Sequence, residues 1–135
     1  MKIFGFLATV LFFMAACSGG SALDKQLAGS DSLVINFNTP KTNNIEKTMT
    51  TTESKAIKKL AGYVDRKKAE EYKCGYDGNL VFYKKGVLRG DVAFNYSEDS
   101  CRHFIQSVDG KLSSSTMSNE AAAFLQSLAE GKGWY

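Results

Sequence analysis

The sequence predicts an α+β domain, a two-layer sandwich in which an antiparallel sheet of about five strands carries two amphipathic helices on one face. Several short runs place apolar residues at every second position, the pattern of strands with one buried face. Two longer segments repeat apolar residues at the helical spacing i, i+3, i+4 and i+7. Because each helix is apolar on one side only, both must cover something, and an antiparallel sheet is the simplest partner.

The first predicted strand begins the folded domain. Leu33, Ile35 and Phe37 share one wholly apolar face. A turn-forming stretch of Asn, Thr, Pro and Lys follows at 38–41, and the threonine-rich residues 45–51 favour a second strand. Together the two runs predict a β-hairpin.

Residues 53–65 are predicted to form the first helix. Thr50 and Glu53 have the spacing of a capping box at its start. The apolar stripe that follows consists of Ile57, Leu60, Ala61 and Val64. The lysines of this segment fall on the other side, where we expect them to face water.

Three β-type runs follow at 79–84, 87–96 and 101–108, separated by turns rich in Gly, Asp and Ser. Residues 111–117 are polar and form a candidate short strand after a tight turn. A second helix is predicted from a cap at Ser118 to a stop at Gly131. Its apolar stripe consists of Ala121, Phe124, Leu125 and Leu128.

The first seventeen residues have the pattern of a secretory signal. Lys2 precedes an apolar run at 3–13, which is shorter than the roughly 20 residues needed to cross a bilayer. The following Met14-Ala15-Ala16-Cys17 resembles the lipobox of bacterial lipoproteins, in which small residues precede a cysteine that is acylated and becomes the mature N-terminus. An ordinary secretory signal that is cleaved nearby is the alternative.

The lipobox resemblance implies a lipid such as palmitate on Cys17 and a membrane as a partner. It also implies a location in the bacterial cell envelope, at the outer membrane or on the periplasmic face. The expected organisation is then a signal peptide at 1–16, the lipidated cysteine with a flexible Gly- and Ser-rich tether at 17–32, and a single domain at 33–135.

The charge balance argues against nucleic acid as a partner. The whole chain has 17 basic and 14 acidic residues. Lys2 is the one charged residue before Cys17, so the mature chain has 16 basic and 14 acidic residues and a net charge of +2. The basic clusters are interspersed with glutamates, as on an ordinary solvated face, whereas nucleic-acid binding depends on a concentrated positive surface.

Cys74 and Cys101 are predicted to form a disulfide, because an exported domain lies in an oxidising compartment and the lipid accounts for Cys17. If the three later strands form a meander, the first and third run in the same direction, which places the two cysteines at one end of the sheet. A structural zinc site is the alternative, but it needs four Cys or His ligands, and only His103 is available besides this pair.

The residues predict no catalytic centre, metal or cofactor. His103 is the single histidine, and it follows Cys101 by two positions. Side chains so spaced on one strand face lie about 6 to 7 Å apart, beyond the reach that a nucleophile and its base require. The carboxylates Asp77, Asp91 and Asp99 leave one alternative open, a small anchored hydrolase that acts on envelope material.

A set of aromatic residues with one arginine is the candidate binding surface. Tyrosine suits recognition because it combines a large contact area with a polar tip. The residues predicted to contribute are Tyr76, Tyr83, Tyr96, Arg102, Trp134 and Tyr135.

The leading functional interpretation is a membrane-anchored lipoprotein whose small disulfide-stapled domain binds a protein or another envelope ligand and performs no chemistry. An inhibitor of a secreted enzyme is one version. Tyr72-Lys73-Cys74, one disulfide and a lipid anchor are together similar to membrane-bound lysozyme inhibitors, although those proteins are all-β. A structural envelope subunit that pairs through an exposed sheet face is a further alternative.

Overall fold

The structure, a computed structural model, describes residues 26–64, 68–69, 74–108 and 110–133. Its six strands are β1 Ser32–Asn38, β2 Ile45–Thr51, β3 Gly78–Lys84, β4 Val87–Asn95, β5 His103–Val108 and β6 Lys111–Thr116. Two longer helices, α1 Ser54–Val64 and α2 Asn119–Ala129, accompany them, with a helical turn at 26–28 and a 3₁₀ turn at Asp99–Cys101. The predicted α+β class with an antiparallel sheet is confirmed.

The predicted count of about five strands and two helices is corrected to six strands and three helices within the described residues. The additional strand is β6, whose polar sequence lacks apolar alternation and which is defined by its pairing with β5. Its outer edge is partly covered, since the amide of Ala69 donates to the carbonyl of Ser114 at 2.9 Å. The additional helix is the turn at 26–28, within the segment predicted to be a tether.

The sheet has the strand order β2-β1-β3-β4-β5-β6, and every neighbouring pair is antiparallel. β1 and β2 form the predicted hairpin, after which α1 leads the chain to the other side of β1, where β3 pairs. The remaining strands form a meander. We call the end of the sheet with the β3–β4 and β5–β6 turns the hairpin end, and the opposite end the Tyr96 end.

The core lies on one face of the sheet, beneath both helices. Leu33 pairs with Phe82, Ile35 with Leu80, and Phe94 with Phe104, so large apolar side chains line up across neighbouring strands. The predicted helical stripe on α1 is entirely buried, and α2 contributes Ala121, Leu125 and Leu128. The fully buried side chains include Leu27, Leu33, Ile35, Leu60, Leu80, Phe82, Val92, Phe94, Leu125 and Leu128.

Leu27 extends this core towards the N-terminus. Its side chain is fully buried, six residues before the predicted start of the domain at Leu33. A Cβ added at Gly90 would lie 2.5 Å from the Leu27 Cδ2 atom, so the small residue leaves room for this docking. The packed domain therefore includes part of the segment predicted to be flexible.

Side-chain hydrogen bonds mark the starts of both longer helices. The Ser118 Oγ accepts the amide of Ala121 at 3.1 Å, as predicted for α2. At α1 the hydroxyl of Thr51, not that of Thr50, accepts the amide of Glu53 at 3.1 Å, because Thr50 lies on the strand face that points away from the helices. No helix within the described ranges is long and apolar enough to cross a membrane.

The second helix ends as its sequence predicts. Gly131 adopts a φ of +83°, a left-handed conformation that suits glycine. The amide of Lys132 donates to the carbonyl of Ser127 at 2.9 Å, and the Lys47 ammonium donates to the carbonyl of Leu128 at 2.9 Å. A cation at the helix C-terminus also offsets the negative end of the helix dipole.

The face of the sheet that points away from the helices carries a row of hydrogen-bonded polar side chains. The Thr48 hydroxyl donates to the Asn36 side-chain oxygen at 2.8 Å, and the Asn36 amide donates to the Asn79 oxygen at 3.0 Å. The Asn79 amide in turn donates to Asp91 at 2.8 Å. We call these four residues the polar ladder; it joins β2, β1, β3 and β4 through side chains.

Gly78 provides a test of the register at the start of β3. A Cβ added there would lie 1.9 Å from the carbonyl oxygen of Asn36, which belongs to the backbone of β1. We expect Gly78→Ala to lower the free energy of unfolding by about 2 kcal/mol or more, because the strands must move apart. Urea denaturation measures the change.

Gly62→Ala is the matched control. Gly62 lies in α1 with nothing within 4 Å of an added Cβ, so alanine should raise stability by about 0.5 to 1 kcal/mol through helix propensity. Equal effects of the two substitutions would contradict the register of β1 against β3.

Candidate functional site

Tyr96 follows β4 and caps the core at the Tyr96 end. Its ring contacts those of Phe37 and Phe94, with centroid separations of 6.4 and 6.0 Å. The ring is half-buried, so one side packs on the core while the other borders solvent. Burial, and then the negative charges of Asp77 and Glu130, raise the pKa of the Tyr96 phenol above its ordinary value near 10. The phenol therefore stays protonated at neutral pH.

Asp77 holds the loop that carries Tyr96. One carboxylate oxygen accepts the amides of Tyr96 and Ser97 at 2.7 and 2.9 Å, and the other accepts the Ser97 hydroxyl at 2.9 Å. The Asp77 amide donates to the carbonyl of Phe94 at 2.8 Å. This carboxylate thus serves as a structural acceptor that fixes the β4–β5 loop.

Two asparagines hold the segment 74–77 against the ends of the strands. The Asn38 side chain donates to the carbonyl of Tyr76 at 3.3 Å, and the Asn95 side chain donates to the carbonyl of Gly75 at 2.8 Å. From the sequence, Asn38 is predicted only to begin a turn, and neither asparagine is predicted to contribute to this site. Their contribution depends on the pairing of β1 with β3 and of β3 with β4, which no local pattern in the sequence specifies.

The disulfide between Cys74 and Cys101 closes the same region. The two Cα atoms are 6.1 Å apart, and the predicted bridge is confirmed. Glu98 lies close enough to the two sulfurs to complete a group of three potential metal ligands. Because the cysteines are joined to each other, their thiolates are not available for a metal.

His103 lies beneath this bridge. The side chain is fully buried, its Nδ1 atom hydrogen-bonds the carbonyl of Cys101, and its ring lies 6.3 Å from that of Tyr76. It is the first residue of β5, two positions after the bridged Cys101. It is an interior residue of the Tyr96 end and not part of the surface.

Arg102 joins the β4–β5 loop to the start of α2. Its Nε donates to the carbonyl of Tyr96 at 3.0 Å, and its guanidinium lies 3.0 Å from the Asp99 carboxylate. A further contact of 3.4 Å reaches the side-chain oxygen of Asn119. Arg102 therefore both lines the surface and positions the loop beside it.

Three clefts lie at the Tyr96 end of the sheet. Their volumes are about 460, 430 and 290 Å³. The largest lies between the β1–β2 turn and the segments at 75–77 and 95–98, and its size falls within the range of small-ligand sites. Tyr96 lines the other two. We call their combined lining the Tyr96 surface; its principal side chains are Pro40, Lys41, Asn43, Glu46, Tyr76, Asp77, Tyr96, Ser97, Glu98, Arg102 and Glu130.

The structure brings together three of the six residues predicted to form a binding surface. Tyr76, Tyr96 and Arg102 lie at the Tyr96 end. Tyr83 lies near the last residue of β3 and hence at the hairpin end. Trp134 and Tyr135 lie outside the described residues, as does Cys17, the predicted lipidation site.

The β1–β2 turn is the part of this surface that the sequence analysis missed. It was assigned only to the reversal of the chain between two strands. In the structure the turn at 40–43 forms one wall of the largest cleft, and Lys41 adopts a φ of +60° within it. The length of the connection is the feature of the sequence that could have indicated this role. Six residues separate β1 from β2, whereas a tight hairpin needs only two.

The three carboxylates of the hydrolase alternative have separate structural partners. Asp77 holds the β4–β5 loop, Asp91 ends the polar ladder, and Asp99 pairs with Arg102. Asp77 hydrogen-bonds Phe94, whereas Asp91 is three residues away along β4, roughly 10 Å. No observation in the described residues favours general acid–base chemistry by these groups.

Comparison with known proteins gives no relative. No protein-family model, no curated protein and no solved structure matches this chain.

The disulfide should contribute substantially to stability. It closes a loop of 27 residues, for which the chain-entropy model gives about 3.5 kcal/mol. We expect the double variant Cys74→Ala/Cys101→Ala to lose a similar free energy of unfolding in denaturant titration. A reductant should produce the same loss in the unaltered protein and none in the variant. An unaltered protein that is insensitive to reductant would contradict the bridge.

Tyr96 should titrate later than exposed tyrosines. Because the folded-state pKa is raised, the unfolded chain loses this proton first as pH rises, so the domain loses stability above about pH 10. Ultraviolet titration of phenolate formation should resolve a late component that Tyr96→Phe removes. A titration in which the unaltered protein shows no late component would contradict the burial of this phenol.

Proposed function

We propose that the chain is a lipid-anchored protein of the bacterial envelope whose domain binds a protein or another envelope ligand at the Tyr96 surface. The observation that carries this proposal is the grouping of three clefts, two of them lined by Tyr96, at an end of the sheet that is held by a disulfide and by Asp77. The lipobox-like segment that ends at Cys17 supports the envelope location.

Pre-organisation supports a role in binding. Asp77, Asn38 and Asn95 fix the backbone on both sides of the largest cleft, and the disulfide ties the segment before β3 to the start of β5. A surface that is ordered before a ligand arrives loses little conformational entropy on binding, which raises affinity without additional contacts.

The charges of the Tyr96 surface favour a ligand with no large net charge. Lys41 and Arg102 are accompanied by Glu46, Glu98 and Glu130 around the clefts. The half-buried aromatic ring of Tyr96 offers an apolar contact with a polar phenol at its edge. We infer a polar ligand with some apolar surface, such as a peptide segment or a polymer of the envelope, and no requirement for a cofactor or metal.

Site-specific photocrosslinking in intact cells tests this assignment. We would place a benzophenone amino acid at Asn43 or at Glu98, which lie on opposite walls of the largest cleft and are both exposed. We expect both positions to give an adduct of the same mass, because one ligand occupies the space between them.

Thr50 is the control position, since it is exposed on the polar face of β2 at the edge of the sheet. An adduct at Thr50 in place of the cleft positions would favour the structural-subunit alternative, in which the open sheet face or edge pairs with a partner. Absence of adducts at Asn43 and Glu98 would contradict the proposal.

A further inference from the structure

The β3–β4 hairpin exposes apolar residues within a basic frame. Val87 is 62% exposed and Leu88 is 57% exposed, and both are among the most exposed large apolar residues of the described chain. Lys84, Lys85 and Arg89 are also exposed, and no acidic residue occurs at 84–89. Leu112, which follows Lys111 in the neighbouring β5–β6 hairpin, is 75% exposed at the same end of the sheet.

The backbone makes this tip rigid. Lys85 and Gly86 have φ values of 50° and 75°, the two positive angles of a type I′ turn, which is the tightest connection between antiparallel strands. A bulge follows, because Phe82 pairs with Gly90 while Tyr83 pairs with Leu88. The twist that a bulge imparts is fixed by the ladder on either side of it.

The described chain begins beside this hairpin. The Gln26 side chain donates to the carbonyl of Arg89 at 2.6 Å, and the amide of Lys85 donates to the Asp31 carboxylate at 2.9 Å. Leu27 is fully buried next to Gly90. The first described residues are therefore fixed against the hairpin.

We propose that the β3–β4 hairpin contacts the surface of a bilayer containing anionic phospholipid, with Val87 and Leu88 in the interfacial region and the basic residues against lipid phosphates. The inference rests on the proposed lipid anchor at Cys17. Nine residues lead from Cys17 to Gln26, a reach of about 30 Å when fully extended. A chain of this length brings the hairpin end to the membrane without being stretched.

The length of the tether also disfavours the opposite orientation, in which the Tyr96 end would face the membrane. Along β4 the Tyr96 end lies six residues beyond Arg89, roughly 20 Å, with the β4–β5 loop further still. To bring that end to the bilayer, the tether would have to run back along the domain over most of its reach, which costs conformational entropy. The hairpin therefore faces the membrane and the Tyr96 surface faces away from it.

The chemistry of the tip suits this contact. Each lysine or arginine near an anionic membrane surface strengthens binding by about fivefold, and this adds to the attachment that the lipid provides. Two aliphatic side chains add interfacial burial. The three basic residues and the lipid act together because they approach the same surface.

Quenching of tryptophan fluorescence by brominated lipid tests the proposal on the full mature protein. The protein is purified from membranes and reconstituted in vesicles of phosphatidylcholine and phosphatidylglycerol at a ratio of about 7 to 3. Leu88→Trp is introduced with Trp134→Phe, so that one tryptophan reports. We expect its emission to shift to shorter wavelength and to be quenched by brominated phosphatidylcholine. Asn43→Trp with Trp134→Phe, at the Tyr96 end, should be neither shifted nor quenched.

Charge variants separate the contribution of the basic residues. Lys84→Gln/Lys85→Gln should reduce the quenching of the Leu88→Trp reporter, and so should vesicles of phosphatidylcholine alone. Lys41→Gln/Lys132→Gln removes the same charge from the opposite end and should leave the quenching unchanged. Equal loss with both pairs would overturn the role assigned to the basic frame.

Intact mass of the same preparation tests the anchor independently. Acylated protein in which the Leu88→Trp reporter is unquenched would overturn the hairpin contact and leave the anchor in place. Protein without an acyl group would contradict the anchor; quenching after its addition to the vesicles would still support the hairpin contact, and no quenching would overturn both.

Discussion

The constraint on which the Tyr96 end depends is the fixed position of the short segment before β3. Residues 74–77 cross the ends of the strands without belonging to the sheet, and their backbone carbonyls are bonded by the asparagine side chains that end β1 and β4. The disulfide prevents this segment from separating from β5, and the carboxylate at its last position fixes the loop that carries Tyr96. Loss of one of these hydrogen bonds, or of the disulfide, would weaken the remaining ones, since hydrogen bonds of a network support one another.

The antiparallel sheet separates two surfaces of different chemistry. Tight turns with exposed basic and aliphatic residues occupy the hairpin end, together with the first described residues of the chain. Longer loops, half-buried aromatic rings and mixed charges occupy the Tyr96 end. Because β3, β4 and β5 run the full distance between them, the two surfaces are held apart by rigid structure. A domain arranged in this way can be attached at one end and remain accessible at the other.

Local patterns predicted the elements of this fold well, and failed where pairing decides the outcome. The helix stripe of α1, the cap at Ser118 and the stop at Gly131 each depend on residues within one turn of one another, and each is confirmed. β6 was only a candidate because its serines show no alternation. Leu27 was assigned to a tether because a single apolar residue in a polar stretch has no period, and its burial depends on Gly90, more than sixty residues away.

At the candidate site, too, local sequence patterns predicted some features, while others depend on how the strands pair. The bridge between Cys74 and Cys101 followed from counting cysteines and from strand direction, and it is confirmed. The grouping of Tyr76 with Tyr96 and Arg102 follows only from the register of the sheet, which places the start of β3 beside the end of β4. Tyr83 is separated from them because it lies at the other end of β3. The wall formed by the β1–β2 turn likewise requires knowing that β3 pairs with β1.

The polar ladder explains why recognition is better placed at the ends of the sheet than on its open face. Thr48, Asn36, Asn79 and Asp91 already satisfy one another across four strands, and Asp91 contributes a carboxylate. A partner that covered this face would have to remove water from that charge and from the remaining lone pairs of the amides. Without replacement hydrogen bonds, this desolvation costs about 1 to 3 kcal/mol for each polar group. The clefts around Tyr96 combine an aromatic ring with polar groups at their rims, so a ligand there can bury apolar surface while its own polar groups remain hydrogen-bonded.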